Sequence, residues 1–259
     1  RFLVSLPSRR EPRIIEAMAA ASECPICSRL RDVETSFSKY LAPQLDNPLP
    51  EAAGRLVVLP DPSGQDPEKR HTRRCPACGT LYDYVSCYEY HMNGGEESEE
   101  LTRLNPDQSA SFLFSQARAL EERRREINLL EDSAGGLGDL IDRGRPEAGE
   151  VREAAAEMET LRRRADSLRL RLRELVEALR RACPEILFTW AGAHGRVCRK
   201  FLDAPGDGGE DSRMARFEAR SSLDFWEKLP FGGETYIAGN SPWLPGYDDL
   251  LDRELAPER

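Results

Sequence analysis

Two C-x-x-C pairs constrain this chain more than any other feature. The first reads Cys24-Pro25-Ile26-Cys27 and the second Cys75-Pro76-Ala77-Cys78-Gly79. Two residues between cysteines let a tight turn aim both sulfurs at one point, about 2.3 Å from a zinc ion. Proline fixes the entry to the turn. Glycine after the second cysteine permits a positive φ where the backbone turns back past the metal. Two such knuckles supply four thiolates and close a tetrahedral site. A closed site leaves no position for a catalytic water, so the pattern predicts one structural Zn2+ per chain, held by Cys24, Cys27, Cys75 and Cys78.

The chain has seven cysteines, an odd number, and Arg1–Pro7 is too short to read as a secretory signal. A disulfide framework favours an even count and a secreted context. A metal site in a reducing, cytoplasmic setting fits better. A single C-x-x-C could be a redox pair, but two pairs with a trailing glycine favour metal. The 47 residues between the pairs exceed what a minimal ribbon needs and must hold an insertion.

The residues after the second knuckle are aromatic, β-branched and roughly alternating, and predict a strand over 80–90. Tyr82, Tyr84, Tyr88 and Tyr90 have one parity and share one strand face. Asn93-Gly94-Gly95 signals a turn, and 101–104 can return as the partner strand. A further strand is expected over 55–59, before a polar loop at 60–67. Cys87, His71 and His91 could complete a second site. On a strand, however, Cys87 and His91 lie about 13 Å apart, so a buried thiol and two surface histidines is the simpler expectation. Aromatics on a strand can stack nucleic-acid bases, but the run Glu96-Glu97-Ser98-Glu99-Glu100 would repel phosphates. A packed or partner-facing aromatic surface fits the charge.

The two knuckles and the tyrosine-rich hairpin resemble zinc-ribbon modules of bacterial proteins, over roughly residues 20–105. The resemblance implies that the four cysteines are zinc ligands. It is specific for metal and not for function.

Helical signals surround this module. Pro12 opens a helical stretch at 13–21. Leu30, Val33, Phe37 and Leu41 recur every three or four residues and predict an amphipathic helix over 29–41. Residues 106–182 then change character. Val151, Ala154, Met158, Leu161, Ala165, Leu168, Leu172, Leu175, Leu179 and Ala182 form an unbroken heptad pattern. A left-handed supercoil follows from a strict seven-residue repeat. Arg162, Arg164, Arg169 and Arg171 flank this seam and would repel one another in a parallel homodimer. Residues 109–130 offer a more acidic mate, with Leu113, Ala117, Leu120 and Ile127 as a shorter seam interrupted by Arg124. The glycine-rich linker at 132–149 can reverse the chain, so an antiparallel helical hairpin is expected. Packing of these helices on the rest of the protein is the alternative.

Cys183-Pro184 ends the long helix. Buried helical segments are expected at 186–202 and 221–229, then a short strand at 234–237 and an aromatic turn carrying Trp243 and Tyr247. His194 lies four residues before Cys198, but no motif marks a third catalytic partner. Gly206-Asp207-Gly208-Gly209 is not a phosphate cradle, because no G-K-[ST] follows.

The expected class is α+β. It comprises a zinc-ribbon β-hairpin module with packed helices (1–105), a coiled-coil hairpin (106–182) and a small α/β segment docked on the body (183–259). The net charge of −9 disfavours non-specific binding to a phosphate backbone. No run approaches the length of a membrane span. Of 37 basic residues only four are lysine, a bias that suggests a GC-rich, bacterial genome. The expected function is a non-enzymatic, zinc-binding adaptor that meets protein partners through its coiled coil or aromatic surface. The alternatives are a ubiquitin-ligase-like zinc module with a coiled coil and a nucleic-acid-binding ribbon. A ubiquitin-ligase module of the cross-braced kind needs eight ligands and two zincs, and only seven candidate ligands cluster here. A hydrolytic enzyme ranks last, because no acid, base and nucleophile stand together.

Overall fold

A computed structural model describes residues 23–40, 43–62, 69–91, 94–143, 148–204, 210–232 and 244–256. The expected helix at 13–21, the strand at 234–237, the loop at 206–209 and Trp243 lie outside them. The chain divides into two compact units, residues 1–112 and 113–259.

The first unit is built on one antiparallel sheet of β1 (Val33–Lys39), β2 (Val57–Val58), β3 (Arg70–Arg74), β4 (Leu81–His91) and β5 (Gly94–Arg103). Its strand order is β1-β5-β4-β3-β2. The long hairpin β4–β5 is the centre, in register from Tyr82 opposite Arg103 to His91 opposite Gly94. Tyr82, Tyr84 and Leu101 point to one face and are buried. On that face they meet Ile26, Leu30, Ala52, Ala53, Leu56 and three of the knuckle cysteines, which complete the core. The unit is α+β in content, with its core gathered at one end of the hairpin.

The helix expected over 29–41 is not formed by its described residues, 29–40. Only a short 3-10 turn, Cys27–Arg29, precedes strand β1, which pairs with β5 from Val33 opposite Thr102 to Lys39 opposite Glu96. The apolar spacing that suggested a helix covers just four residues. The segment Val33-Glu34-Thr35-Ser36-Phe37 is β-branched and alternating, and the open edge of β5 offers it a ladder. The strand expected at 55–59 is reduced to Val57–Val58, because Glu51–Arg55 forms a 3-10 turn. Strand β3, rich in arginine, carried no apolar signal.

The second unit is helical, and its first helix begins in the last residues of the first unit. Helix α1 (Pro106–Arg143) begins with a reciprocal cap: Gln108 N donates to Asn105 Oδ1 and Asn105 N to Gln108 Oε1, both 2.9 Å. It runs through the glycine-rich stretch expected to be a loop. Gly135, Gly136 and Gly138 are helical, and the helix continues to Arg143. Helix α2 (Ala148–Ala182) returns beside α1. Gly138 faces Met158, Arg169 pairs with Glu131, and Arg164 Nη2 lies 2.9 Å from Glu126 Oε1. The heptad residues of α2 are all half-buried or buried, fully so at Ala165, Leu172 and Leu179. Cys183-Pro184 breaks the chain into α3 (Pro184–Asp203), the most buried helix, against which pack α4 (Glu210–Lys228) and α5 (Tyr247–Glu254).

Candidate metal centre

The four cysteines named from spacing come together. Cys24, Cys27, Cys75 and Cys78 place their sulfurs within 4.8 Å of one another, the one such cluster among the described residues. Cys24 Sγ lies 3.6 Å from Cys75 Sγ, and Cys27 Sγ 3.4 Å from Cys78 Sγ. A tetrahedral ion with bonds of about 2.3 Å needs sulfurs about 3.8 Å apart, so the cluster fits four-thiolate ligation. No disulfide joins them.

Each knuckle is built by its own backbone. In the first, Ser28 N donates to Cys24 O (3.0 Å) and Leu30 N to Cys27 O (3.2 Å). In the second, Gly79 N donates to Cys75 O and Cys75 N to Thr80 O, both 2.9 Å. Gly79 takes φ +81°, the left-handed conformation that glycine adopts freely. Its added Cβ would also press on Arg74 Nη2 at 3.2 Å.

Residues with no motif of their own hold the knuckles in place. Arg103, at the end of β5, donates from Nη2 to Cys27 O (3.0 Å) and Leu30 O (2.8 Å), and from Nε to Tyr82 Oη (3.3 Å). Thr80 Oγ1 sits 3.1 Å from Cys78 Sγ. Such partners orient ligands and tune the metal.

Burial sets the electrostatics. It pushes the Cys27 and Cys75 thiols up, toward the neutral form. Burial would raise Cys24 as well, but backbone N–H groups of Cys27 and Ile26 and the neighbouring thiols bring it down to about 7. Cys27 and Cys75 thus become thiolates only when a cation stands beside them. Zinc would supply that charge and cross-link two turns 51 residues apart. With all donor positions filled by sulfur, its chemistry here would be structural.

The other candidates lie apart from the cluster. Cys87 is exposed on β4. His71 stacks on Tyr84 at 4.3 Å between ring centres and accepts from Arg73 Nε at 2.9 Å. Tyr82 and Tyr84 are buried, but Tyr88 and Tyr90 are exposed.

A second polar cluster lies inside the helical unit. Glu121, Arg124 and His194 are essentially inaccessible to solvent. Arg124 grips Glu121 with two bonds, Nε to Oε2 (2.9 Å) and Nη2 to Oε1 (2.6 Å). Trp190 Nε1 and Arg125 Nε donate to the same carboxylate, at 3.1 and 3.0 Å. His194 Nε2 is 3.0 Å from Glu121 Oε2 and its Nδ1 is 2.7 Å from Tyr247 Oη. Burial would raise the Glu121 carboxyl, but the cations around it hold it well below the ordinary range. Burial pulls His194 down to about 4, against the pull of Glu121. A neutral His194 then donates from Nε2 to Glu121 and accepts the Tyr247 hydroxyl at Nδ1. Cys198 Sγ lies 3.8 Å from that hydroxyl. Sealed from solvent, the cluster ties α1, α3 and α5 together. The interruption of the apolar seam at Arg124 was its one trace in the sequence.

Among the described residues no helix is long and apolar enough to cross a membrane. No protein family, curated protein or solved structure matches this chain, so its function must be read from its own geometry.

Proposed function

We propose that the chain is a non-enzymatic, zinc-binding adaptor. The observation that carries this reading is the closed four-thiolate cluster, which can brace a fold but offers no position for a substrate. The other buried polar cluster, around Glu121 and His194, is equally sealed. Zinc would fix the base of the β4–β5 hairpin, and the hairpin's outer half would meet a protein partner. Helices α1 and α2, paired as a coiled coil along the α2 heptads, would form a second contact surface. Membership of the zinc ribbons rests on the two knuckles and their glycine.

The test is site-specific photo-crosslinking from the full chain in its native host. A benzophenone side chain replaces Tyr90 on the hairpin or Leu170 on α2, both exposed. The expected result is a discrete adduct from at least one position. The hairpin adduct should vanish when Cys75→Ser removes a ligand. Absence of any adduct, or a hairpin adduct indifferent to Cys75→Ser, contradicts the reading.

A further inference from the structure

The tyrosine row of β4 is used in two ways along its length. At the inner end each ring carries a cation. The Arg103 guanidinium lies 5.7 Å from the Tyr82 ring centre, and that of Arg73 lies 4.0 Å from Tyr84. The next tyrosines on the same face, Tyr88 and Tyr90, have no cation over them among the described residues. They are 66% and 81% exposed, and Tyr40 is 84% exposed. These three belong to one end of the sheet. Tyr90 pairs with Gly95, and Tyr40 N donates to Gly95 O at 3.0 Å from the other side. Gly95 is buried because the Tyr88 hydroxyl lies over it, where any Cβ would collide. The glycine is the floor on which a tyrosine side chain rests.

The charge around this end has one sign. Asp46, Glu89, Glu96, Glu97, Glu99 and Glu100 fall within residues 36–46 and 86–100, against the single cation Lys39. Lys39 is on the opposite face and paired with Glu96. Lys69 approaches only at the β3 edge, where its carbonyl accepts from Ser86 N. Glu97, directly across from Tyr88, is exposed and shares the tyrosine face. By the same register Glu97 and Glu99 share the tyrosine face, whereas Glu89, Glu96 and Glu100 lie on the face of Lys39. Open tyrosine faces beside carboxylates select a cation: the ring quadrupole attracts it and the surrounding negative charge raises its local concentration.

We infer that the outer end of the β4–β5 hairpin, formed by Tyr40, Tyr88 and Tyr90 with Glu97, binds a basic segment of a partner protein, seating arginine or lysine side chains on the tyrosine faces. The inference rests on the adaptor reading and names what the hairpin would hold. An anionic partner, nucleic acid included, is repelled by the same carboxylates.

The experiment measures binding of labelled Gly-Arg and Gly-Glu repeat peptides to the full chain at physiological ionic strength. The Gly-Arg peptide should bind and the Gly-Glu peptide should not. Replacing Tyr88→Leu and Tyr90→Leu together keeps apolar area but removes the rings. It should weaken binding by on the order of tenfold, with metal content unchanged. Gly95→Ala, which only displaces Tyr88, should weaken it less, and Glu97→Gln should reduce its salt sensitivity. Equal binding of the two peptides overturns the inference, as does undiminished binding by the double leucine variant. So does self-association of the chain through this patch without peptide binding. The crosslink from Tyr90 is read separately. If it forms while the peptides fail, the adaptor reading stands with a partner of other chemistry.

Discussion

A buried thiol prefers to stay neutral, and a buried thiolate needs a cation close by. Cys27 and Cys75, both at 0% exposure, are therefore the residues at which metal and fold are most tightly linked. Replacing Cys75→Ser should release the metal and expose residues 23–104 to proteolysis, because structural zinc supplies folding free energy directly. Retained metal and unchanged protease resistance would contradict the ligand assignment. His194 makes the opposite case, a base kept neutral by burial. Its folded value of about 4 lies below the ordinary 6.5, so between those values the unfolded chain binds the extra proton. Acidification from pH 7 to pH 5 should thus favour unfolding, by up to about 2 kcal/mol. Glu121, held low in the folded chain, adds its own loss only once its unfolded form begins to protonate, below about pH 5. Trp190 and Trp226 flank His194, the latter stacked at 3.6 Å, so tryptophan fluorescence reads this transition. Denaturant midpoints should be lower at pH 5, and His194→Gln should flatten the difference. Equal midpoints at both pH values would refute a neutral, buried His194.

At the scale of elements, the four clustered cysteines were legible because each knuckle is local: two intervening residues fix its geometry, with a glycine after the second. The α2 helix was legible for the same reason, its apolar period repeating for ten positions. Strand β1 was misread because four apolar residues in a short window satisfy helical and strand periods alike, and the arbiter was β5, more than 50 residues away. The helical course of 132–143 was missed because three glycines signal a loop. Glycine costs a helix about 1 kcal/mol each, which pairing with α2 can offset. Arg103 left no local signal, and the Glu121–His194 cluster only the break in the seam at Arg124, since Trp190, His194 and Tyr247 are distant in sequence. The seam itself makes a prediction at this scale. Leu172 is 2% exposed and Leu168 is half-buried. Glutamate at both positions should unfold or splay the α1–α2 pair by several kcal/mol, read as lost helicity by circular dichroism. Unchanged helicity and hydrodynamic size would show that α2 does not depend on this seam.

For the whole molecule, the two units are stabilised by different means. Residues 113–259 have an aromatic and aliphatic core around α3 with one neutralised polar cluster inside it. Residues 23–104 have a small core in which Cys24, Cys27 and Cys75 are themselves core residues. A unit of that size gains much from a metal cross-link between distant turns. Its hairpin carries tyrosines and carboxylates beyond that core, and a metal held by the four cysteines would fix its base. The most direct test of this account is elemental analysis of freshly purified, untagged chain, with thiol reactivity measured before and after chelation. The account predicts one zinc per chain and four cysteines that become reactive only when the metal is removed. Chain that lacks bound metal and carries its C-x-x-C pairs as disulfides would contradict it.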